Sequence, residues 1–267
     1  MTTVVLTGAS SGLGARAAHR LHDKGIQVVV VGRDAERTTA IAEKLGATGY
    51  IADFAQLDQV RSLASTLIRE HPRIDVLAAN AGGVPASGCT ADGVETTFQV
   101  NALAPWLLME LLAGALSGGR VVVTSSRSHT GAQIPEDAIE TIATGTARLS
   151  RHRAYARAKL AAGILLREYG RRHPDIDVGD FHPGVMATDF GRYLGTTGTV
   201  LKVLTAPFLD SADDGARRLV QLALSSEPLA GKYFAKDRPS TGSPQLHDGR
   251  LGDRLWRLAQ SLTESAI

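Results

Sequence analysis

A chain of 267 residues with 43% hydrophobic and 21% charged content is long enough for one large α/β domain with a sizeable core, which excludes disorder, collagen and coiled coil. Lys and Arg number 29 against 27 Asp and Glu, a formal net charge of +2 with the basic residues scattered, so no nucleic-acid or anionic-membrane partner is expected. Cys89 is the only cysteine, no metal-ligand spacing occurs, and no apolar run reaches the roughly 20 residues of a membrane span, so we expect a cytoplasmic protein without disulfide, metal or membrane partner.

Thr3 to Thr7 reads as the first strand and Leu13 to Lys24 as the helix after it. Gln27 to Val31 with Ala35 to Leu45, Gly49 to Ala52 with Leu57 to Glu70, and Ile74 to Ala79 with Val94 to Ala115 repeat the pair. Arg120 to Thr124 precedes Ala154 to Arg172, Asp177 to Phe181 precedes Asp213 to Leu224, and a last short strand lies around Lys232 to Phe234. The strands lack polar alternation, as expected where both faces of a parallel sheet are covered. Parallel neighbours need right-handed helical crossovers. The alternation therefore predicts an α/β, three-layer doubly wound fold with a mostly or wholly parallel sheet of about seven strands, in a single domain spanning 1–267. Two irregular stretches, Arg127 to Arg153 and Gly184 to Pro207, follow strand ends and are candidates to stand over a site.

The turn after the first strand, Thr7-Gly8-Ala9-Ser10-Ser11-Gly12-Leu13-Gly14, carries three glycines before a helix start, which lets backbone amides approach a phosphate. Tyr155 and Lys159 stand four apart in a helical segment and so share one face. A free tyrosine, with a pKa of about 10, is a poor acid or base at neutral pH, but an adjacent ammonium favours its phenolate. Ser126 ends the strand Val121-Val122-Val123-Thr124-Ser125-Ser126, where a hydroxyl can donate to a developing alkoxide. Strand alternation turns Ser125 and Ser126 to opposite faces.

The glycine-rich turn resembles the T-G-x-x-x-G-x-G fingerprint of the short-chain dehydrogenase/reductase family, and the resemblance extends over nearly the whole chain. It implies a catalytic set of Asn101, Ser126, Tyr155 and Lys159, with Ser126 rather than Ser125 chosen because the family places its serine second in the pair. It also implies that Gly8, Ser10, Ser11, Gly12, Leu13 and Gly14 hold the dinucleotide, with Asp53 and Phe54 at the adenine. Asn80, Ala81 and Gly82 would lie against the ribose, and Lys159, beside Tyr155, would hold the nicotinamide ribose hydroxyls. After the sixth strand, Val185 would meet the nicotinamide and Thr188 the pyrophosphate.

The second strand ends Val31-Gly32-Arg33-Asp34, where an NAD enzyme places a carboxylate at the position of Gly32. Glycine leaves room there and Arg33 suits a 2′-phosphate, so NADP(H) is the expected cofactor, with Asp34 as the N-cap of the next helix. The long gap from Ser126 to Tyr155, the segment Tyr155 to Ala161 and the terminal Leu255-Trp256-Arg257-Leu258 resemble the retinol-dehydrogenase-like branch. The implied function is NADP(H)-dependent interconversion of a ketone or aldehyde and an alcohol on an apolar organic substrate. The alternative is a catalytically inactive dinucleotide-binding sensor or scaffold. A segment over 184–209, with Gly191, Gly195 and Gly198 among apolar residues, is expected to cover the substrate. Relatives pair the helices matching Val94 to Ala115 and Ala154 to Arg172, which implies a homodimer or homotetramer.

Overall fold

The computed structural model describes residues 1–146, 149–184 and 211–264. Its strands are β1 (Thr3–Thr7), β2 (Gln27–Gly32), β3 (Thr48–Ile51), β4 (Val76–Ala79), β5 (Arg120–Thr124), β6 (Asp177–His182), β7 (Tyr233–Ala235) and β8 (Arg238–Ser240). They form one sheet in the order β3-β2-β1-β4-β5-β6-β7-β8. Every pair is parallel except β7 with β8, which is antiparallel. The eighth strand adds to the expected seven; Arg238-Pro239-Ser240 is exposed and carries a proline, so nothing apolar announces it.

Among the described residues the helices are α1 (Gly12–His22), α2 (Ala35–Leu45), α3 (Leu57–Glu70), α4 (Thr96–Phe98), α5 (Ala104–Leu111), α6 (Ile139–Thr144), α7 (Arg151–Arg172), α8 (Ala212–Ala223) and α9 (Gly249–Glu264). Successive residues of each strand point to opposite faces of the sheet, so each strand feeds two cores. Val5, Val29, Leu77, Val121 and Val123 pack with Leu63, Leu103 and Leu165 on one side. Val4, Leu6, Val28, Val30 and Val122 pack with Ala17, Leu21 and Leu219 on the other.

One expected helix, Val94 to Ala115, is broken. The chain runs α4, a π-helical turn over Gln99–Leu103 and then α5. Pro105 lacks the N–H that the Asn101 carbonyl, four residues earlier, would accept in a regular α-helix. The widened turn thus falls on Asn101 because of the proline that follows it.

At the far end of the chain α9 buries Leu251, Leu255, Trp256 and Ala259 against the helices on that face. Trp256 meets Trp106 of α5 edge-on at 5.1 Å between centroids, and the Arg172 guanidinium of α7 stacks 4.3 Å over its ring. Among the described residues no helix is long and apolar enough to cross a membrane.

Candidate active site

The chain leaves β1 toward β2 and β3, then returns to β4 on the other side of β1. That reversal opens a crevice at the carboxyl ends of β1 and β4, where ligands bind in open α/β sheets. Thr7 closes β1, and its hydroxyl accepts from the amides of Asn80 at 3.0 Å and Ala81 at 2.9 Å. The Asn80 Nδ2 donates to the carbonyls of Thr7 and Gly8 at 3.0 and 3.3 Å, and its Oδ1 accepts from the Thr124 hydroxyl at 3.0 Å. One side chain thereby ties the ends of β1, β4 and β5, and the backbone of Ala81 and Gly82 is what borders the crevice.

Gly8 and Gly12 take φ values of +67° and +56°, a region that favours glycine. A Cβ on Gly8 would stand 2.9 Å from the Ala81 Cα, and one on Gly14 only 2.1 Å from the Gly8 carbonyl oxygen. Gly12 by contrast faces open space. Ser11, the N-cap of α1, makes no side-chain cap hydrogen bond, so the first amides of the helix have no such partner. This cradle, closed to side chains and open at the amides, fits the pyrophosphate of a dinucleotide. Gly14→Ala is expected to cost at least about 2 kcal/mol of stability, because the obstacle is backbone that cannot rotate away. A chemical-denaturation midpoint equal to wild type would contradict it.

At the end of β2, Asp34 caps α2 by accepting from the Arg37 amide at 3.0 Å, as its sequence position implies. Gly32 differs from its expectation. Rather than leaving room, its position is packed: a Cβ would lie 2.3 Å from the Thr38 hydroxyl and 3.0 Å from the Ser10 Cβ. Thr38 is fixed there by donating to the Asp34 carbonyl, so the site cannot hold the carboxylate of an NAD enzyme without rearrangement. Arg33 is exposed, and among the described residues no hydrogen bond or ion pair holds its guanidinium. Asp53 lies past β3, its Oδ1 accepting from the Ala55 amide at 3.0 Å, while α3 takes its N-cap from Gln56. Phe54 is buried beside it, its carbonyl accepting from Gln99 at 3.3 Å. No described contact joins these two residues to the glycine cradle.

Asn101 and Lys159 come together beside the ends of β4 and β5. Asn101 is buried; its Oδ1 accepts from the Gly83 amide at 3.0 Å and its Nδ2 donates to the carbonyls of Gly83 and Thr97 at 2.8 and 2.9 Å. Lys159 is buried on α7, with Nζ donating to the Thr124 carbonyl at 2.8 Å and standing 5.9 Å from the centre of the Tyr155 ring. A Cβ on Gly82 would fall 2.7 Å from the Asn101 Oδ1 and 3.1 Å from the Lys159 Nζ. Asn101, Gly82 and Lys159 are therefore mutually adjacent, with Tyr155 half-buried one helical turn away.

Ser125 and Ser126 follow the end of β5 and differ in burial and partners. Ser125 is buried, with its Oγ 3.5 Å from the His129 Nδ1, while Ser126 is half-buried and its Oγ accepts from the Ser128 amide at 3.2 Å. His129, in the loop that follows β5, is fully buried. Val185 and Thr188 lie outside the described residues, as does all of the expected covering segment except Gly184.

A family model described as short chain dehydrogenase matches residues 2–135. A protein provisionally named daunorubicin C-13 ketoreductase, from Streptomyces sp. (strain C5), is 40% identical over 265 residues, covering 95% of this chain and 90% of its own. The chain belongs to the short-chain dehydrogenase/reductase family. Human retinol dehydrogenase 13 is 30% identical to this dehydrogenase/reductase over 274 residues, covering 95% and 82% of the two chains, which bears out the retinol-dehydrogenase-like branch. A crystal structure of an uncharacterized protein from Mycobacterium Paratuberculosis superimposes with a TM-score of 0.78 at 28% identity, covering 99% of this chain and 94% of that one.

Sequence reading of this dehydrogenase/reductase missed Thr7 and Thr124, whose hydroxyls pair with the backbone and side chain of residue 80. Both stand at strand ends, where a threonine after an apolar run is a legible signal. The role of Thr38 leaves no such mark, because it depends on packing against Gly32 across the β2–α2 turn.

Proposed function

We propose that the chain catalyses the NADP(H)-dependent interconversion of a ketone or aldehyde with its alcohol, on an apolar organic substrate. The observation that carries the reading is the adjacency of Asn101, Gly82 and Lys159, with Tyr155 one turn along α7, beside a glycine cradle built for a pyrophosphate. Bound NADPH would supply a hydride. Gly8, Ser10, Ser11, Gly12, Leu13 and Gly14 would hold its pyrophosphate, Arg33 its 2′-phosphate, Asp53 and Phe54 its adenine, and Ala81 and Gly82 its ribose. Val185 and Thr188 keep their proposed contacts with the nicotinamide and the pyrophosphate.

In the reduction direction the Ser126 hydroxyl donates to the substrate carbonyl oxygen and the Tyr155 phenol gives up its proton to that oxygen. Lys159 places a positive charge beside the phenolate left behind and would hold the nicotinamide ribose hydroxyls of the bound cofactor. Asn101 would bind a water that links Lys159 to a proton relay from solvent, and Pro105 supports this by offering the Asn101 carbonyl no α-helical donor. The relative named for a ketoreductase favours reduction over oxidation. Subunit pairing through α5 and α7 would meet α9, which already covers them, so an oligomer would use another surface.

The test is a screen of purified protein with NADPH against ketones and aldehydes, headed by daunorubicin and retinaldehyde and followed by loss of nicotinamide absorbance. Turnover of at least one is expected. Tight NADPH binding with no turnover of any would favour a binding-only protein instead.

A further inference from the structure

One buried imidazole, that of His129, closes the loop that carries Ser126. The Ser126 carbonyl accepts two hydrogen bonds from His129, from the ring Nδ1 at 2.6 Å and from the backbone amide at 3.2 Å. The Nδ1 bond requires the proton on that nitrogen. The other ring nitrogen, Nε2, is covered and has no hydrogen-bond partner among the described residues. Burial pushes the His129 pKa below the usual imidazole range, outweighing the Ser126 carbonyl and the Asp180 carboxylate, which pull it up. With its proton on Nδ1 and no described partner at Nε2, the ring is held in one tautomer by geometry.

Its position is equally fixed. Tyr233 of β7 meets the ring edge-on at 4.6 Å between centroids, and the facing residue is Gly242, where a Cβ would come within 3.0 Å of Nε2. Arg167 of α7 and Asp180 of β6 form an ion pair at 2.9 Å near it, and the Ser125 amide pins the serine pair to β6 through the Phe181 carbonyl at 2.8 Å. The Ser126 hydroxyl itself touches only Ser128 among the described residues, accepting from its amide and donating to its Oγ, each at 3.2 Å. Its direction therefore depends on the one-turn loop from 126 to 129 that His129 closes.

A phenylalanine or leucine would fill this volume without burying an unpaired nitrogen, whose desolvation opposes folding. The bond that offsets this cost is the one to Ser126. We propose that His129 is a positioning residue, clamping the Ser126 carbonyl so that its hydroxyl stays aimed at the substrate; the inference rests on the function proposed above.

Two variants separate clamping from packing. His129→Asn keeps a donor nitrogen the same number of bonds from Cα but loses the ring, whereas His129→Phe keeps the ring and loses the donor. Clamping predicts that His129→Phe lowers kcat at least about ten-fold with KM and NADPH affinity within about two-fold, and that His129→Asn restores kcat to within about three-fold of wild type. It also predicts backbone hydrogen exchange at least about ten-fold faster over residues 125–131 in cofactor-free His129→Phe, and near-normal exchange in His129→Asn. A His129→Phe protein with wild-type kcat overturns the inference, as does one with wild-type exchange in that segment. Absence of turnover in the wild type itself would instead overturn the proposed function, and the exchange measurement then decides the role of His129 alone.

Discussion

Replacing Tyr155 with Phe is expected to lower kcat by at least about 10² while leaving NADPH affinity within about two-fold. Only the phenolic oxygen is lost: the ring stays half-buried on α7, and Lys159 keeps its hydrogen bond to the Thr124 carbonyl at 2.8 Å. General acid–base catalysis typically contributes 10²–10⁴-fold, so a phenol that transfers the proton cannot be deleted at smaller cost. Lys159→Met makes a useful contrast. Its ammonium touches the Thr124 carbonyl and borders Gly82, so that variant is expected to lose both turnover and cofactor affinity. Steady-state kinetics with a fluorescence titration of NADPH separate the two patterns. Turnover of Tyr155→Phe within a few-fold of wild type would remove Tyr155 from the proton-transfer step.

Arg33→Ala is expected to weaken NADPH binding about 10- to 100-fold and to leave NADH binding unchanged. A hydrogen bond to a charged group contributes about 1.5–3 kcal/mol, and the guanidinium has no competing partner among the described residues. Titration with both dinucleotides reads the ratio. Substituting Gly32 with Asp to convert the cofactor preference is a poorer experiment, since the new Cβ would collide with Thr38 and Ser10 before its carboxylate met any ribose. A wild-type protein that binds NADH as tightly as NADPH would show that Arg33 does not read the 2′-phosphate.

The alternation of strands and helices was legible because parallel sheets demand it: β1 and β5, like α2 and α3, begin and end where the apolar pattern begins and ends. Periodicity was silent about interruptions that preserve it. The π turn at Asn101 keeps its neighbours apolar, and only the Asn101-Ala102-Leu103-Ala104-Pro105 spacing betrays it. Helix α9 was not among the expected elements, although Leu251, Leu255, Trp256 and Ala259 carry its apolar spacing. Its consequence, a covered α5–α7 face, needs three dimensions. The same holds for His129, whose burial under β7 and α7 depends on residues far along the chain, and for Gly32, whose neighbours are side chains rather than a ligand. Motif residues were legible where chemistry fixes a local spacing, as in Tyr155 and Lys159. The branch was legible in the length of the Ser126 to Tyr155 gap, the 155–161 segment and Leu255 to Leu258; the gap holds helix α6.

In the proposed function this site passes a hydride between a nicotinamide and a carbonyl carbon. The most direct measurement uses NADPH deuterated at both C4 positions, a ketone or aldehyde from the screen, and mass spectrometry of the alcohol formed. One deuterium on the carbinol carbon is the predicted result, absent in Tyr155→Phe over the same interval. An alcohol formed without deuterium at that carbon would contradict the account.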